Sequence, residues 1–255
     1  MDAAEIVMIA GAALAGGAVN AIAGGGSLIT FPTLVAAGLS PVLASVTNTV
    51  ALCPGYLGAT LAQRKHLTGQ GKRAAMLLPV AALGGVGGAL LLLHTDPRTF
   101  DVIVPFLILL AAILIGTQER LRAKLLARTA AGRARGEVLA ALPLGLAAIY
   151  GGYFGAGMGV MILAVLGVMV DDSLLRINAL KQTVSLSVNL AAAIVFVIVA
   201  DVDWTVTAVM AGAALAGGVL GGALSTRIPP AVLRWTVVLI GVAVAAVYFV
   251  KLLGR

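Results

Sequence analysis

The chain repeats itself at a fixed offset. Thr49-Val50-Ala51-Leu52 returns as Thr183-Val184-Ser185-Leu186, 134 positions on, and AALGGVGGAL at 81–90 returns within two residues of that distance as AALAGGVLGGAL at 213–224. Pro97 and Pro230 fall within one residue of that offset, and the Gly-rich stretches beginning at Gly24 and Gly155 fall within three. Internal duplication in a strongly apolar chain is the pattern of a membrane carrier assembled from two structural repeats, with its binding site between them.

Composition sets the class. With 61% hydrophobic and 11% charged residues, and a mean hydropathy of +1.10, the chain departs far from a water-soluble globule. Its apolar runs have helical length, are rich in Gly and Ala, and lack the alternation of a membrane barrel, so an all-α polytopic membrane protein is expected. The first basic residue is Arg64, so the first segment is expected to be a retained helix rather than a cleaved secretory signal. A single Cys53 excludes an intrachain disulfide and a Cys-based metal site, and no metal or other cofactor is expected. Ten of the seventeen basic residues lie in the stretches 63–73 and 118–136. That clustering is the positive-inside pattern, which makes both loops cytoplasmic and anionic lipid, not nucleic acid, the expected partner of the +7 charge.

Apolar segments run 5–23, 28–38, 43–62, 74–94, 100–117, 137–153, 159–170, 174–199, 205–224 and 231–251. Eight are long enough to serve as transmembrane helices; 28–38 and 159–170 fall short of the about 20 residues a span needs and must be tilted, re-entrant or broken. The turn at Asp201-Val202-Asp203-Trp204 has acid and no base and is placed outside. With the basic loops inside, each repeat makes an odd number of crossings, so the repeats, 1–117 and 137–255 joined by the linker 118–136, are inverted. The inference requires the short segments to cross; otherwise the parity changes. Ser40-Pro41 reads as a helix start, and Asp171-Asp172-Ser173 offers cap oxygens at the matching place. Pro54, followed by Gly55, is expected to kink its helix.

Bared backbone inside a bilayer survives only against protein, water or a ligand. Gly24, Gly25, Gly26 and Ser27 precede one short segment, and Gly155, Ala156, Gly157 and Met158 precede the other. Each is a helix N-terminus with glycine-exposed amides, a geometry that suits an anion. Close helix packing is the competing explanation, and it suffices for Gly84, Gly85, Gly87, Gly88 and for Gly217, Gly218, Gly221, Gly222. Lys181 stands about two turns into a long apolar helix, with Ser185 and Asn189 following at i+4 and i+8 on one face. Its alternatives are a cation facing a cavity or a side chain snorkelling to the inner interface. Thr47, Asn48 and Thr49 in the first repeat match Lys181, Gln182 and Thr183, while Asn20 and Tyr150 precede the two breaks. Together these make a candidate site for a small oxyanion. No nucleotide loop, zinc motif or hydrolase triad accompanies them, so no enzymatic activity is expected.

Gly24-Gly25-Gly26-Ser27-Leu28-Ile29, followed by Pro32, Leu34, Gly38, Pro41, Ala44 and Thr47, resembles the signature of the TauE/SafE family, the sulfite exporter or toluenesulfonate uptake permease group. The likeness extends through the second Gly-rich stretch over nearly the whole chain. It departs in the second repeat, where Ala156 replaces a glycine and Leu163 stands in place of Pro32. The resemblance implies a bacterial inner-membrane carrier for sulfite, organosulfonates or related sulfur oxyanions. A passive anion channel or facilitator, or a carrier of a non-sulfur organic anion, is the alternative. Gly-rich outer faces permit a homodimer without requiring one. All ten acids lie in tails, loops or at segment ends, so either the substrate carries its own proton or transport is uncoupled.

Overall fold

A computed structural model of the protein describes residues 2–130, 140–170, 172–224 and 230–253. The described residues form ten α-helices and one 3₁₀ turn. In chain order the helices are α1 (Ala3–Ile22), α2 (Ser27–Ala36), α3 (Pro41–Ala62), α4 (Gly71–His94), α5 (Pro97–Ala130), α6 (Ala141–Tyr153), α7 (Met158–Met169), α8 (Leu174–Val199), α9 (Trp204–Leu224) and α10 (Pro230–Leu253). They correspond one to one with the ten apolar segments. Six of them, α1, α3, α4, α5, α8 and α9, are long and apolar enough to cross a membrane. At 1.5 Å per residue, α2 with 10 residues and α7 with 12 reach only about half of a hydrocarbon core.

Local chemistry explains several ends. Asp2 and Glu5 form a reciprocal capping box at α1. Ser40 caps α3 as expected, its hydroxyl accepting from the Leu43 amide, with Pro41 at the first helical position. α3 continues through Pro54 to Ala62. The corresponding cap of α8 differs. Ser173 holds the N-cap position without a side-chain bond, while Asp172 accepts from the Ser173 amide, from Arg176 at 2.8 Å and from Arg73 at 2.7 Å. Two guanidinium groups outcompete the capping role; Asp171 lies outside the described residues. The stretch from 118, expected as a loop linker, remains helical as the end of α5 up to Ala130, since Arg, Lys, Leu and Ala all favour a helix.

The halves are interleaved. α4 packs on α6 and α8, and α9 packs on α1 and α3. The two glycine stripes make this possible, as a Cβ at Gly85 would strike the Val188 backbone and one at Gly218 the Gly55 backbone. Contact register gives the helix directions. Leu14 and Ala18 meet Gly217 and Gly221, while Gly55 and Ala59 meet Ala214 and Gly222, so α1, α3 and α9 run one way. Gly84 meets Gly145 and Ala148, Gly88 meets Tyr153, and Ser187 bonds to Leu78, so α4, α6 and α8 run together. Asn178 bonds to Gln63 while Thr47 lies beside the start of α9, which sets α8 against α3.

These directions make the short helices turn back. α1 ends level with the end of α9, yet α3 starts near the beginning of α9, only four residues after α2 and Ala37 to Ser40 have intervened. α2 therefore returns toward the side from which α1 came. α7 does the same for α6, because Tyr153 bonds to Thr95 beyond the end of α4 while Asp172 pairs with Arg73 near its start. Each helix pair is a hairpin with both ends on one side of the bundle.

Candidate functional site

α1 ends because Gly24 adopts φ +84°, a left-handed conformation that favours glycine, and its amide turns back to the Val19 carbonyl at 2.9 Å. The chain then reverses tightly at Gly26, where a Cβ would collide with the Gly16 carbonyl. The Asn20 side-chain oxygen accepts the Gly26 amide at 2.7 Å, closing the break with a residue from the helix just ended. The second break is built from Gly155 and Gly157, at φ +80° and +76°. There the Tyr150 hydroxyl donates to the Ala156 carbonyl at 2.7 Å.

The two breaks meet. A Cβ at Gly24 would lie 3.1 Å from the Gly159 α-carbon, and one at Gly159 would lie 3.0 Å from that of Gly24. α5 and α10 line the same region, since Gly25 faces Ile115 and Val237 while Gly157 faces Ala111. Among the described residues, the buried amides of Gly25 and Ser27 in the first break, and of Ala156, Gly157 and Gly159 in the second, find no hydrogen-bond acceptor. These are donors held at the starts of α2 and α7.

α8 completes the first break from the opposite half. The Gln182 Nε2 donates to the Asn20 carbonyl at 3.1 Å and to the Ala21 carbonyl at 2.7 Å, filling the open end of α1. Lys181 Nζ reaches the same Asn20 carbonyl at 3.5 Å. Lys181 is only 1% exposed, so it points to the break and does not snorkel. No carboxylate pairs with it among the described residues, and a buried cation without a counter-charge is costly unless something anionic joins it. Ser185, one turn on, is fully buried and its hydroxyl has no partner.

Other sequence-derived candidates take different places. Thr47 Oγ1 accepts the Asp203 amide at 3.2 Å and so belongs to the start of α9. Thr49 donates to the Ser45 carbonyl of its own helix, and Asn189 to that of Ser185, while standing beside the Tyr56 hydroxyl. Asn48 is buried with its side-chain oxygen unpartnered. Met158 packs its sulfur against Gly151. Tyr56 was not legible as a polar neighbour, although it follows Gly55, the match of Asn189. The Asp172 cluster was also hidden. Burial works against ionisation of Asp172, but hydrogen bonds from Arg176, the Ser173 amide and Arg73 outweigh it and hold the carboxyl below its ordinary value.

The family model for the sulfite exporter TauE/SafE matches residues 8–248. Curated relatives include the probable membrane transporter protein YfcA of Escherichia coli strain K12, 28% identical over 218 residues that cover 85% of this chain and 77% of the relative. A probable membrane transporter protein of Haemophilus influenzae is 29% identical over 82% of this chain and 79% of its own length. The probable membrane transporter protein ORF9 of a Sinorhizobium species is 26% identical over 92% of this chain and 88% of its own length. No solved structure matches the chain.

Proposed function

The chain belongs to the sulfite exporter TauE/SafE family of membrane transporters, and on that premise we propose that it is a secondary carrier of a small sulfur-containing oxyanion, sulfite or an organosulfonate, in the bacterial inner membrane. The observation that carries this reading is Lys181, 1% exposed and without a carboxylate partner among the described residues, directed at a helix break whose amides stand open. One cation, the Ser185 hydroxyl and the amides of Gly25, Ser27, Ala156, Gly157 and Gly159 form a donor set for an anion of charge one or two. Asn20, Gln182 and Tyr150 brace the backbone that presents those amides. In this reading the halves 1–117 and 137–255 are inverted repeats with the basic stretches cytoplasmic, and transport is by alternating access around the meeting point of the breaks. The opposed directions of α3 and α8 and the exchange of α4 and α9 between halves support it.

The test is thermal unfolding of detergent-purified protein with sulfite, sulfate, thiosulfate, sulfoacetate, taurine, acetate and chloride. A ligand that binds only the folded state raises stability in proportion to RT ln(1 + [L]/Kd). Stabilisation by a sulfur oxyanion, lost in a folded Lys181→Ala variant, is the expected outcome. An undiminished response in that variant would remove Lys181 from the site. In vesicles, saturable flux with counterflow is expected of the carrier, and its absence would favour a channel.

A further inference from the structure

Gln182 is the residue that donors alone do not explain. Its side chain is fully buried, and its two N–H groups are directed at the carbonyls of Asn20 and Ala21. That leaves Oε1 facing the other way, buried and without a partner. The amide cannot turn over, because the exchange would set Oε1 against both carbonyl oxygens. Gln182 Nε2 and Lys181 Nζ share the Asn20 carbonyl, so the amide that carries this fixed acceptor adjoins the cation. Asn48 Oδ1, on the helix that packs against α8, is a second buried acceptor without a partner.

An anion offering only lone pairs would meet the ammonium favourably and the Oε1 unfavourably. An anion that also carries a hydrogen-bond donor would satisfy both. Resting on the anion-site reading above, we propose that the substrate is an oxyanion bearing its own O–H or N–H donor, hydrogensulfite in the inorganic case and a hydroxy- or aminosulfonate in the organic one, and that Gln182 Oε1 reads that donor. For hydrogensulfite the consequence is coupling without a titrating carboxylate. The anion leaves one side with its proton and releases it on the other by dissociating to sulfite, so one proton moves with each anion.

Binding to detergent-purified full-length protein at one fixed, mildly acidic pH tests this with two matched pairs. Hydrogensulfite is compared with chlorate, a pyramidal monoanion that lacks a hydrogen, and hydroxymethanesulfonate with ethanesulfonate, in which a methyl replaces the hydroxyl. The donor-bearing member of each pair that binds should be tighter by roughly ten- to hundredfold. In Gln182→Lys, whose ammonium still caps the α1 carbonyls but offers no acceptor, that ratio should fall toward one. If that variant fails to fold, Gln182→Met and the wild-type ratios decide. Equal affinity within the pairs overturns the proposal and leaves the anion site standing, with a water as the partner of Oε1. A preference that survives loss of the Gln182 oxygen overturns the assignment to this residue. Absence of binding by all four probes removes the anion-site reading as well.

Discussion

The two helix breaks use the same backbone device and are braced from opposite directions. At the first, the Asn20 side chain secures the Gly26 amide, while Lys181 and Gln182 reach across from α8 to the open carbonyls of α1. At the second, Tyr150 secures the Ala156 carbonyl from within its own segment. Thr47 and Asn48 match Lys181 and Gln182 by the 134-residue register, but Thr47 is committed to the Asp203 amide. Duplicated glycines therefore reproduce the breaks, whereas the cation directed at them among the described residues, Lys181, comes from the second half.

That contrast can be broken most severely at Gly26. An alanine there would drive its Cβ into the Gly16 carbonyl and within 2.9 Å of Asn20 Cγ, where backbone cannot give way. Gly26→Ala should cost about 3 kcal/mol or more and sharply reduce recovery of folded protein. Gly157→Ala, strained by its φ of +76° but 3.2 Å from the Ala111 α-carbon, should cost about 1–2 kcal/mol and remain foldable. Equal losses in denaturant or thermal unfolding would show that the two turns are equally tight.

Removing the braces sharpens the comparison. Asn20→Ala leaves a buried Gly26 amide without its acceptor and should destabilise by about 1–3 kcal/mol while also weakening sulfite-induced stabilisation. Tyr150→Phe removes one donor from a carbonyl and should cost about 0.5–1.5 kcal/mol, leaving the anion response nearly unchanged. The smallest effect concerns the far ends of the short helices. α2 leads into the Ser40 cap, whereas α7 leads into Asp172 and its partners Arg73 and Arg176. A depressed carboxyl contributes stability that is fully present above its unfolded value and lost as pH falls through its folded one. Hydrogen exchange at moderately acid pH should therefore be unchanged, and should rise at the end of α7, not α2, only once pH drops below the ordinary carboxylate range. Asp172→Asn should abolish that difference.

Much of the fold was legible because its signals are local. Ten apolar runs became ten helices, the two runs too short to span became α2 and α7, and Ser40 with Pro41 started α3 as their chemistry requires. Lys181, Ser185 and Asn189 were legible as one buried face because helical spacing alone puts them there. The end of α5 was misread as a loop since basic residues signal both a cytoplasmic turn and a good helix former. Gln182 was read as a donor for ligand, yet its donors serve the end of α1, a partner 162 positions away.

The amino-acid sequence by itself determined the solvent this chain lives in, the helix lengths, the duplication and the places where backbone is bared, since each depends on hydropathy, spacing or glycine within a short window. Only the tertiary structure decided that α1 and α2, and α6 and α7, fold back as hairpins, that α4 and α9 cross into the opposite halves, and that Lys181 faces the first break while Thr47 faces the start of α9. Those outcomes depend on which distant glycine faces touch and which carbonyls remain open when they do. A helix face has many possible neighbours until packing and hydrogen-bond satisfaction choose among them.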